Sequence, residues 1–563
     1  MLVIGLNNRT VLAKARYANK AGMEKENPLV VETLKVLDAP PEQRLHALLD
    51  SPFTAEILER IPTHDAYLMV KEAFGSDSSI LLPYTPTEKI VSFIDLDCWD
   101  RDTLSTEGLL AWISELAEAS DETLLRTLES LDTEVIILLF QPFLQVVITR
   151  PTDDNIPELI ENGYETFDNN YFFTFSDSTE ETATLRNILD MLYLHHQDMY
   201  YRILEGVRWE LPTDMEETAY QHRTLRLMEL GFPAQDEARA VYQRMPTERI
   251  LARGLRPDHI PRFGKDEYYI PSLYQDEFRK GSLVKTLHSE VDSDIQRRFS
   301  FELVYLANKV IMADYQPLND AQAIRAAVGK VLSFTSLGLA LARRARAQTT
   351  QALLESMDAE SLFSLGYNAI REQRQRLKEC LAGVPEHMIP PFSREITDAL
   401  LPHPASSTAL TLATLEQLDA CTAMIDHLDT LHRIIRHISW KGHPLTDTNI
   451  DTQGLDMQNI LLTALAVNIS TGDLTFRPLS LTELSTFIDR TTTRKDAVRR
   501  CRAGLLNNLA ALLAGLDPDI PAELIQSAAA GLIARWEEEV AGVSDPGRFD
   551  PRYLTCLVVS LTD

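Results

Sequence analysis

Apolar residues in the first part of the chain recur at helical spacing in short runs, and prolines separate these runs. Leu45 and Leu48 belong to one run, while Pro62 and Pro86 each stand just before another. Proline fits the first turn of an α-helix, because the N–H group that it lacks would have no partner there. Helices this short are not stable alone and must stack on neighbours. The pattern therefore predicts that residues 28–150 form a stack of short helices, an α-solenoid-like domain.

Two segments carry the signature of a helix start that is closed by side chains. In Thr85-Pro86-Thr87-Glu88 and in Ser480-x-x-Glu483, a hydroxyl residue precedes a glutamate by three positions. In such a capping box, each side chain accepts a hydrogen bond from the backbone N–H of the other residue. We therefore expect Thr85 and Ser480 to be N-caps, and we expect the first of these helices to continue through Ile94.

The helical pattern is interrupted between residues 151 and 182. Aromatic residues flank Asp168-Asn169-Asn170 from Tyr164 to Phe175, and a short polar turn between such runs is typical of a β-hairpin. We expect residues 151–182 to form a linker and one small β-hairpin near 164–175. Ser178 is then expected to cap the next helix.

Local signals in the remainder of the chain indicate further helices. Leu230-Gly231 predicts the end of a helix that begins near residue 215, because glycine readily adopts the left-handed conformation that follows a helix. The apolar segment Leu505–Leu516 predicts a buried helix.

These patterns predict a mostly α-helical protein with several helical domains. We expect a central helical domain at 183–383 with an irregular segment at 247–300, which is rich in proline, glycine and mixed charge. A proline-rich linker at 384–407 is expected to precede a C-terminal helical domain at 408–563. The N-terminal residues 1–27 are interpreted as a basic arm.

Composition and charge narrow the classes of partner. The chain has 563 residues, of which 45% are apolar and 24% charged, as in globular proteins of several domains. Its net charge is −29, and residues 24–200 contain 35 acidic against 10 basic residues, a balance of −25. Such a surface repels phosphate backbones and anionic lipid. We therefore expect protein partners, in particular partners with basic surfaces, or divalent cations, and we do not expect nucleic acid.

Cysteine usage and hydropathy bear on the compartment. The five cysteines are scattered without a Cys-x-x-Cys pair, which is typical of thiols in a reducing compartment. The apolar run Met1–Leu6 is too short for a secretory signal. The most apolar stretch, Val135–Val147, contains Gln141 and Pro142 and falls short of the roughly 18 apolar residues of a membrane span. We expect a cytoplasmic protein without a membrane span.

Several short segments combine aromatic, small and proline residues in an order specific enough to compare with known families. They are Trp209-Glu210-Leu211-Pro212, Glu217-x-Ala219-Tyr220-x-x-Arg223, Leu230-Gly231-Phe232-Pro233, Tyr305-Leu306-Ala307-Asn308, Ile460-Leu461-Leu462-Thr463-Ala464-Leu465 and Phe476-x-Pro478-Leu479-Ser480. In these segments, and over most of its length from about residue 30, the chain resembles an uncharacterised bacterial family that carries only a domain-of-unknown-function label. The resemblance implies no activity, cofactor or catalytic residue.

The N-terminal helices show a second resemblance. With its short helices that begin at prolines, the segment 28–150 looks like the short-helix superhelix at the cytoplasmic N-terminus of a magnesium channel and in flagellar motor switch proteins. In those families such a domain regulates or connects and does not catalyse. The resemblance is one of fold, and function follows from fold only by analogy.

Asp95, Asp97, Asp100 and Asp102 are the strongest candidates for a chemical site. Carboxylates bind Mg²⁺ and Ca²⁺, and an apolar run before Asp-x-Asp is typical of phosphoryl-transfer nucleophiles. However, such a nucleophile follows a strand, whereas this segment continues a helix, and a calcium loop needs glycine where Asp100 stands. The alternative is a turn between two helices, in which Trp99 packs inward and the aspartates cap the next helix.

Two sets of histidines look like metal ligands by composition alone. Adjacent side chains on a helix diverge by about 100°, which separates His195 from His196. His427, His432 and His437 are five residues apart, so each is rotated by about 140° from the last. We interpret both sets as residues on helix surfaces.

Arg343, Arg344 and Arg346, with Arg325 and Lys330 nearby, form the most basic stretch of the body of the chain. Such a stretch can dock a phosphate or receive the acidic N-terminal part of the chain. The interpretation as a solvated helix face is favoured, because clustered charges on a helix usually point to water.

Recognised catalytic signatures are missing from the sequence: it contains no Gly-x-Gly-x-x-Gly, no His-Glu-x-x-His and no Gly-x-Ser-x-Gly. The leading hypothesis is therefore a non-catalytic helical scaffold or regulatory protein that binds other proteins and holds no cofactor. The alternative is a metal-dependent hydrolase that uses the Asp95–Asp102 cluster, and the sequence leaves this choice open.

Overall fold

The structure is a computed structural model, and it describes most of the chain. The described residues are 28–150, 156–176, 179–254, 270–401, 412–440, 443–445, 454–495, 498–543 and 550–560. They form mainly α-helices together with four two-stranded antiparallel sheets, which confirms the predicted fold class. The predictions for the basic arm 1–27, for the Ser178 cap and for Pro402 and Pro404 lie outside the described residues.

The chain divides into two compact units, Met1–Gly366 and Tyr367–Asp563. The division falls within one helix, Ala359–Cys380, and thus precedes the proline-rich segment 384–407. The described part of that segment contains a further helix, Pro391–Leu400. The domain limits expected from the sequence stay predictions.

Short helices fill the first 113 described residues of the first unit (28–140), as the proline-separated runs predicted. They are α1 (Pro28–Asp38), α2 (Pro41–Leu49), α3 (Thr54–Arg60), α4 (Thr63–Glu72), α5 (Ser78–Leu81), α6 (Thr87–Asp97), α7 (Thr106–Ala119), α8 (Asp121–Ser130) and α9 (Thr133–Phe140). Each buries apolar side chains against its neighbours, and in α9 the whole run Val135–Phe140 is buried. Burial by neighbours explains how helices of this length are stable.

The prolines do not occupy the predicted position. Pro62 and Pro86 are N-caps with extended backbone (ψ 139° and 138°), and their carbonyls accept the first helical hydrogen bonds, from Ala66 and Ile90 at 3.1 Å. The prediction of Thr85 as N-cap is therefore wrong. Pro86 stands between Thr85 and the helix, and the Thr85 hydroxyl donates instead to the carbonyl of Leu81 at 2.9 Å.

The small sheets lie between helices. In the first unit, β1 (Trp99–Asp100) pairs with β2 (Thr103–Leu104), and β3 (Leu144–Ile148) pairs with β4 (Tyr171–Phe175). The aromatic segment near 164–175 thus supplies a strand, and a single bridge joins Glu165 to Phe173. The longer partner, β3, lies outside the predicted hairpin: Phe172 and Phe173 of β4 are buried and pair with Val147 and Val146 of β3.

Helices also form the rest of the first unit. They are α10 (Ile156–Glu161), α11 (Glu180–His195), α12 (Gln197–Trp209), α13 (Pro212–Glu229), α14 (Gln235–Arg239), α15 (Thr247–Ala252), α16 (Ser272–Lys280), α17 (Ser282–Glu290), α18 (Ser293–Ala313), α19 (Ala321–Arg346), α20 (Thr350–Ser356) and α21 (Ala359–Cys380). Gly231 has φ +85° and ends α13, as predicted. In the segment 247–300, which we expected to be irregular with short helices, the described residues form the short helices α15, α16 and α17, and Leu273, Phe278 and Leu287 in them are buried. Residues 255–269 of this segment lie outside the described residues.

Two glycines allow α19 and α21 to cross in backbone contact. A Cβ atom on Gly338 would lie 1.8 Å from the carbonyl oxygen of Leu362, and one on Gly366 would lie 2.0 Å from that of Phe334. No side chain larger than hydrogen fits at either position.

The helix α19 also meets the length and composition criteria for a membrane span, and among the described residues it alone does so. In this structure 56% of its most apolar stretch is buried inside the protein. A helix in the core of a protein meets the same criteria, so length and composition do not separate the two cases.

The second unit has its own apolar core. Its helices after α21 are α22 (Pro391–Leu400), α23 (Leu415–Ile435), α24 (Met457–Thr471), α25 (Leu481–Thr491), α26 (Leu505–Leu516) and α27 (Ala522–Val540), and its strands are β5 (Ser439–Trp440), β6 (His443–Pro444), β7 (Thr492–Lys495) and β8 (Val498–Cys501). The capping box of Ser480 and Glu483 forms as predicted. The helix α26 has the predicted bounds, but only Ala510 and Leu513 in it are fully buried, so the prediction of a buried helix is wrong for most of its residues.

Candidate functional site

The four candidate aspartates lie at the end of α6 and in the turn that follows it. Asp95 and Asp97 belong to the last turn of α6, whereas Asp100 and Asp102 lie in and after β1. Residues two apart on a helix point about 200° away from each other. The carboxylates of Asp95 and Asp97 accordingly contact different groups, and those of Asp100 and Asp102 are exposed.

Asp95 is buried and forms a bidentate ion pair with Arg226 of α13. The guanidinium Nε lies 2.6 Å from Oδ2, and Nη2 lies 2.9 Å from Oδ1. Arg226 also lies 2.8 Å from Oδ2 of Asp132, and so connects α13 to two carboxylates of the N-terminal helices. Burial raises the pKa of Asp95, and the hydrogen bonds from Arg226 oppose that rise. A buried pair of this kind is costly to break, because either charge alone would be left without a partner.

A second arginine of α13, Arg223, is buried in the turn beside Asp95. Its Nε donates to the carbonyl of Asp95 at 2.8 Å, its Nη1 donates to the carbonyl of Arg101 at 3.2 Å, and its guanidinium lies 5.2 Å from the Trp99 ring. Burial lowers the pKa of Arg223 to about 10. The side chain therefore closes the C-terminal end of α6, whose last carbonyls have no helical partner.

Asp97 accepts hydrogen bonds from three side chains of the neighbouring helices α4 and α7. Lys71 Nζ lies at 2.7 Å, Trp112 Nε1 at 2.8 Å and Tyr67 OH at 2.9 Å. Although burial alone would raise the pKa of Asp97, these donors and the charge of Lys71 lower it below its ordinary value. The carboxylate stays ionised and joins α4, α6 and α7. A fourth donor, the amide of Asn319 just before α19, lies 3.2 Å from Oδ1 of Asp97.

The arrangement separates the aspartates instead of collecting them. Within the part of the chain that the structure describes, no three His, Cys, Asp or Glu side chains form a group that could hold a metal ion. The expectation that the aspartates cap the next helix is wrong, because Ser105 caps α7 and accepts from the N–H of Gly108 at 3.1 Å. Trp99 packs inward as predicted and is 7% exposed.

His64, which no sequence motif indicated, lines a cavity of about 60 Å³ in the first unit. His64 is fully buried, and neither of its ring nitrogens has a hydrogen-bond partner among the described residues. Burial lowers its pKa to about 4, so the imidazole is neutral at physiological pH. The opposite wall contains Tyr274, which donates to Asn308 at 2.6 Å. A cavity of this size and polarity can hold ordered water, which requires two to four polar partners.

Asp65 lies next to His64 in α4 and has a full set of partners. Its Oδ1 accepts from the Ser272 hydroxyl at 2.5 Å and from the Ser272 N–H at 2.9 Å. Arg44 donates to the same hydroxyl at 2.6 Å. Burial raises the pKa of Asp65 to about 6, although the bonds from Ser272 act in the opposite direction. These contacts fix α16 against α4 and α2.

The histidines do not converge on an ion. His195 is exposed, whereas His196 Nδ1 lies 2.9 Å from Glu129. In the second unit, His427 packs against the Phe392 ring at 5.2 Å, and burial lowers its pKa. His432 is half-buried on α23, and His437 is exposed in the turn after that helix.

The basic stretch at the end of α19 is only partly solvated. Arg343 lies 3.5 Å from Glu290, and Lys330 lies 2.7 Å from Asp314. Arg346 donates to Ser356 at 3.4 Å. These pairs join α19 to α17, to the end of α18 and to α20.

Among the described residues of the first unit, the corner between α12 and α13 is the longest exposed segment with large apolar side chains. All residues from Trp209 to Asp214 are exposed. Trp209 is 66% exposed and Leu211 61% exposed, and the guanidinium of Arg208 lies 4.7 Å from the Trp209 ring. Glu210 and Asp214 place two carboxylates in the same segment. The corner thus combines apolar area with negative charge.

The fold and these sites define a mostly α-helical protein of two compact units, in which the buried charges of the first unit join helices to one another. Residues 24–560 match the family described as "Family of unknown function (DUF6178)", and the chain belongs to that family. The resemblance inferred from the short sequence segments is confirmed. No curated protein and no solved structure matches the chain.

Proposed function

We propose that this protein is a non-catalytic helical scaffold or regulatory protein that binds a protein partner through the corner Trp209–Asp214. The observation that carries the proposal is the exposure of Trp209 and Leu211 side by side at the meeting point of two helices. Tryptophan is strongly enriched among residues that dominate the binding energy of protein interfaces. The corner is held by the N-terminal helices, since Gln141 donates to the carbonyl of Glu210 at 3.0 Å.

The charge around the corner defines the chemistry of the partner. Glu210, Asp214 and Glu217 are exposed next to the apolar side chains, and the preceding part of the chain is strongly acidic. A complementary surface has an apolar pocket for Trp209 and basic residues around it. Electrostatic complementarity of this kind speeds association and makes the rate sensitive to salt.

The buried charges support the same proposal. Asp95 and Asp97 each contact cations and hydrogen-bond donors of their own unit, which is the arrangement expected for residues that hold helices together. Catalytic carboxylates, by contrast, need a reacting group within hydrogen-bond reach. The alternative of a metal-dependent hydrolase stays a prediction, and metal binding tests it below.

Thiol burial supports a cytoplasmic location as part of the proposal. Cys98, Cys380, Cys421 and Cys556 are buried and free, and Cys501 is half-buried and free. Burial raises the pKa of Cys501 to about 11, which keeps its thiol protonated and unreactive. Free thiols of this type persist in reducing compartments.

The experiment compares two leucines of similar exposure. The full chain and its Leu211→Ser, Trp209→Ala and Leu194→Ser variants are immobilised in equal amounts and used to capture proteins from a native lysate. Leu194 is 65% exposed and lies in the last turn of α11. The helix α12, which is about 20 Å long, separates it from Trp209 along the chain. We expect a stoichiometric partner that Leu194→Ser retains and that Trp209→Ala binds at least 30-fold more weakly, as for a residue that dominates an interface.

Two results would contradict the proposal. The first is the absence of any stoichiometric partner. The second is a partner whose affinity, measured with purified proteins, is the same for the Trp209→Ala variant and the unchanged chain. Circular dichroism of each variant checks that the fold is retained, which is expected because substitutions at exposed positions change stability little.

A further inference from the structure

An apolar groove crosses the second unit between α24, α25, α26 and α27. It has a volume of about 290 Å³, at the lower end of the size range of ligand sites. Its walls are almost wholly apolar and include Leu462, Leu465, Phe487, Leu509, Leu532 and Trp536. This is the larger of the two cavities described in the molecule.

The wall formed by α26 is incompletely covered. Leu505, Leu509 and Leu512 follow each other at spacings of four and three, which places them on one face of the helix. All three line the groove, and all three are only half-buried. On the opposite wall, Leu465 and Leu532 are fully buried. The leucine face of α26 therefore presents apolar surface to the groove that a bound apolar molecule would remove from water.

The polar atoms at the floor of the groove do not require a polar ligand. Trp536 Nε1 donates to the Thr491 hydroxyl at 3.1 Å, and that hydroxyl donates to the carbonyl of Phe487 at 2.7 Å. The polar atoms of the floor are thus satisfied by one another. An apolar chain can lie on this floor without leaving a buried polar group unpaired.

One edge of the groove carries a positive charge. Ile469 lines the groove, and Arg490 donates from Nη1 to its carbonyl at 2.5 Å. Among the described residues no carboxylate forms an ion pair with Arg490, and a guanidinium has five N–H donors, of which this bond uses one. The amides of Asn468 and Asn508 also lie at the groove. The remaining donors of Arg490 are suited to a carboxylate.

We infer that the groove binds a single-chain anionic amphiphile, namely a fatty carboxylate whose hydrocarbon chain lies on the leucine face of α26 and whose carboxylate meets Arg490. The volume sets the chain length. An apolar cavity of 150 Å³ holds a benzene ring, so this groove accommodates roughly twice as many carbon atoms, about twelve. This inference concerns the second unit and goes beyond the proposed scaffold function.

The test titrates dodecanoate into the full chain by isothermal titration calorimetry, below the concentration at which micelles form. We expect one saturable site per chain. Dodecanol, which has the same chain length and no charge, is expected to bind more weakly. An Arg490→Gln substitution should lower the affinity for dodecanoate about tenfold, because a hydrogen bond between charged groups is lost, and should leave the affinity for dodecanol unchanged.

Two tryptophan substitutions on the same helix provide a matched pair. Leu509→Trp fills the groove and should weaken dodecanoate binding at least tenfold. The control is Leu506→Trp. Leu506 is three residues earlier, is 40% exposed and does not line the groove, so this substitution should change the affinity for dodecanoate less than twofold. Should Leu509→Trp fail to fold, Asn508→Trp at the exposed edge blocks the entrance without entering the core.

Several outcomes would overturn the inference. They are the absence of saturable binding up to millimolar dodecanoate, equal binding by the groove-filling variant and its control, and binding to phospholipid vesicles without binding of free dodecanoate. A dimer that Leu509→Trp dissociates in sedimentation would assign the groove to a second copy of the chain and would also reject the fatty-carboxylate ligand.

Discussion

The buried carboxylates of the first unit and the leucines of the groove in the second unit differ in how completely their surroundings satisfy them. Asp95 and Asp97 contact arginine, lysine, tyrosine and tryptophan side chains, so both carboxylates have partners. In the groove, Leu505, Leu509 and Leu512 are left half-covered. Asp95 and Asp97, which resemble a catalytic or metal site in the sequence, thus hold helices together. The leucines of α26, which resemble core residues in the sequence, line an open groove.

The largest expected loss of stability comes from breaking the buried ion pair of Asp95. An Asp95→Ala substitution removes the buried carboxylate that binds Arg226 in a bidentate pair and leaves Arg226 with Asp132 alone, and removing one partner of a buried pair costs about 3 kcal/mol or more. Urea unfolding at pH 7 measures the loss. Asp100→Ala, at an exposed position of the same segment, is the control and should change stability by less than about 0.5 kcal/mol. A loss below 1 kcal/mol for Asp95→Ala would show that the pair is not structural.

Unlike Asp95 and Asp97, His64 is buried without a hydrogen-bond partner among the described residues, and its effect on the stability of the fold depends on pH. Its folded pKa of about 4 lies below the model-compound value of 6.5, so unfolding takes up a proton and the histidine destabilises the fold as pH falls below 6.5. A His64→Phe variant should therefore gain about 2 kcal/mol relative to the unchanged chain between pH 7 and pH 5. Asp65, whose pKa is raised, acts with the opposite sign but is present in both proteins.

Urea unfolding at the two pH values measures this gain. His195→Phe, at an exposed position, is the control and should show no gain. Equal pH dependence for the His64→Phe variant and the unchanged chain would indicate that His64 is protonated, or hydrogen-bonded through water, in the folded protein.

Two leucine truncations compare the buried part of the groove wall with its half-buried part. Leu465→Ala removes a side chain that is 4% exposed and should cost about 3 kcal/mol, as for other core leucines. Leu512→Ala removes a half-buried side chain that faces the groove, and should cost about 1.5 kcal/mol, because less apolar surface is exposed on truncation. Equal losses in urea unfolding would mean that the groove closes in solution.

The smallest expected effect tests the hydrolase alternative. Millimolar Mg²⁺, Mn²⁺ or Ca²⁺ should leave the melting temperature unchanged, since Asp95 and Asp97 already contact Arg226 and Lys71. A ligand that binds only the folded state must raise stability. A rise that disappears in the Asp95→Ala/Asp97→Ala double variant would support a metal site at the aspartates and would count against a purely structural role.

Features set by neighbouring residues could be predicted from the sequence. The capping box at Ser480 and the left-handed Gly231 depend on interactions within a few positions. The Thr85 cap failed for a local reason too: the fixed φ of Pro86 already suits the position before a helix.

Long-range partners could not be predicted in the same way. Arg226 is 131 residues from Asp95, and no local pattern indicates that their side chains meet. The burial of His64 likewise depends on Tyr274 and Asn308, which other helices supply. The leucine pattern of α26 correctly predicted a helix. It did not predict the degree of burial, because burial depends on how far α24 and α25 lie from α26.

The crossing of α19 and α21 has a consequence for the register of the two helices. Gly338 is flanked by Leu337 and Leu339, and Gly366 is preceded by Leu365. A slide of either helix by one residue would place a leucine where only a hydrogen atom fits. The two glycines therefore permit a single axial alignment of the two helices at their crossing.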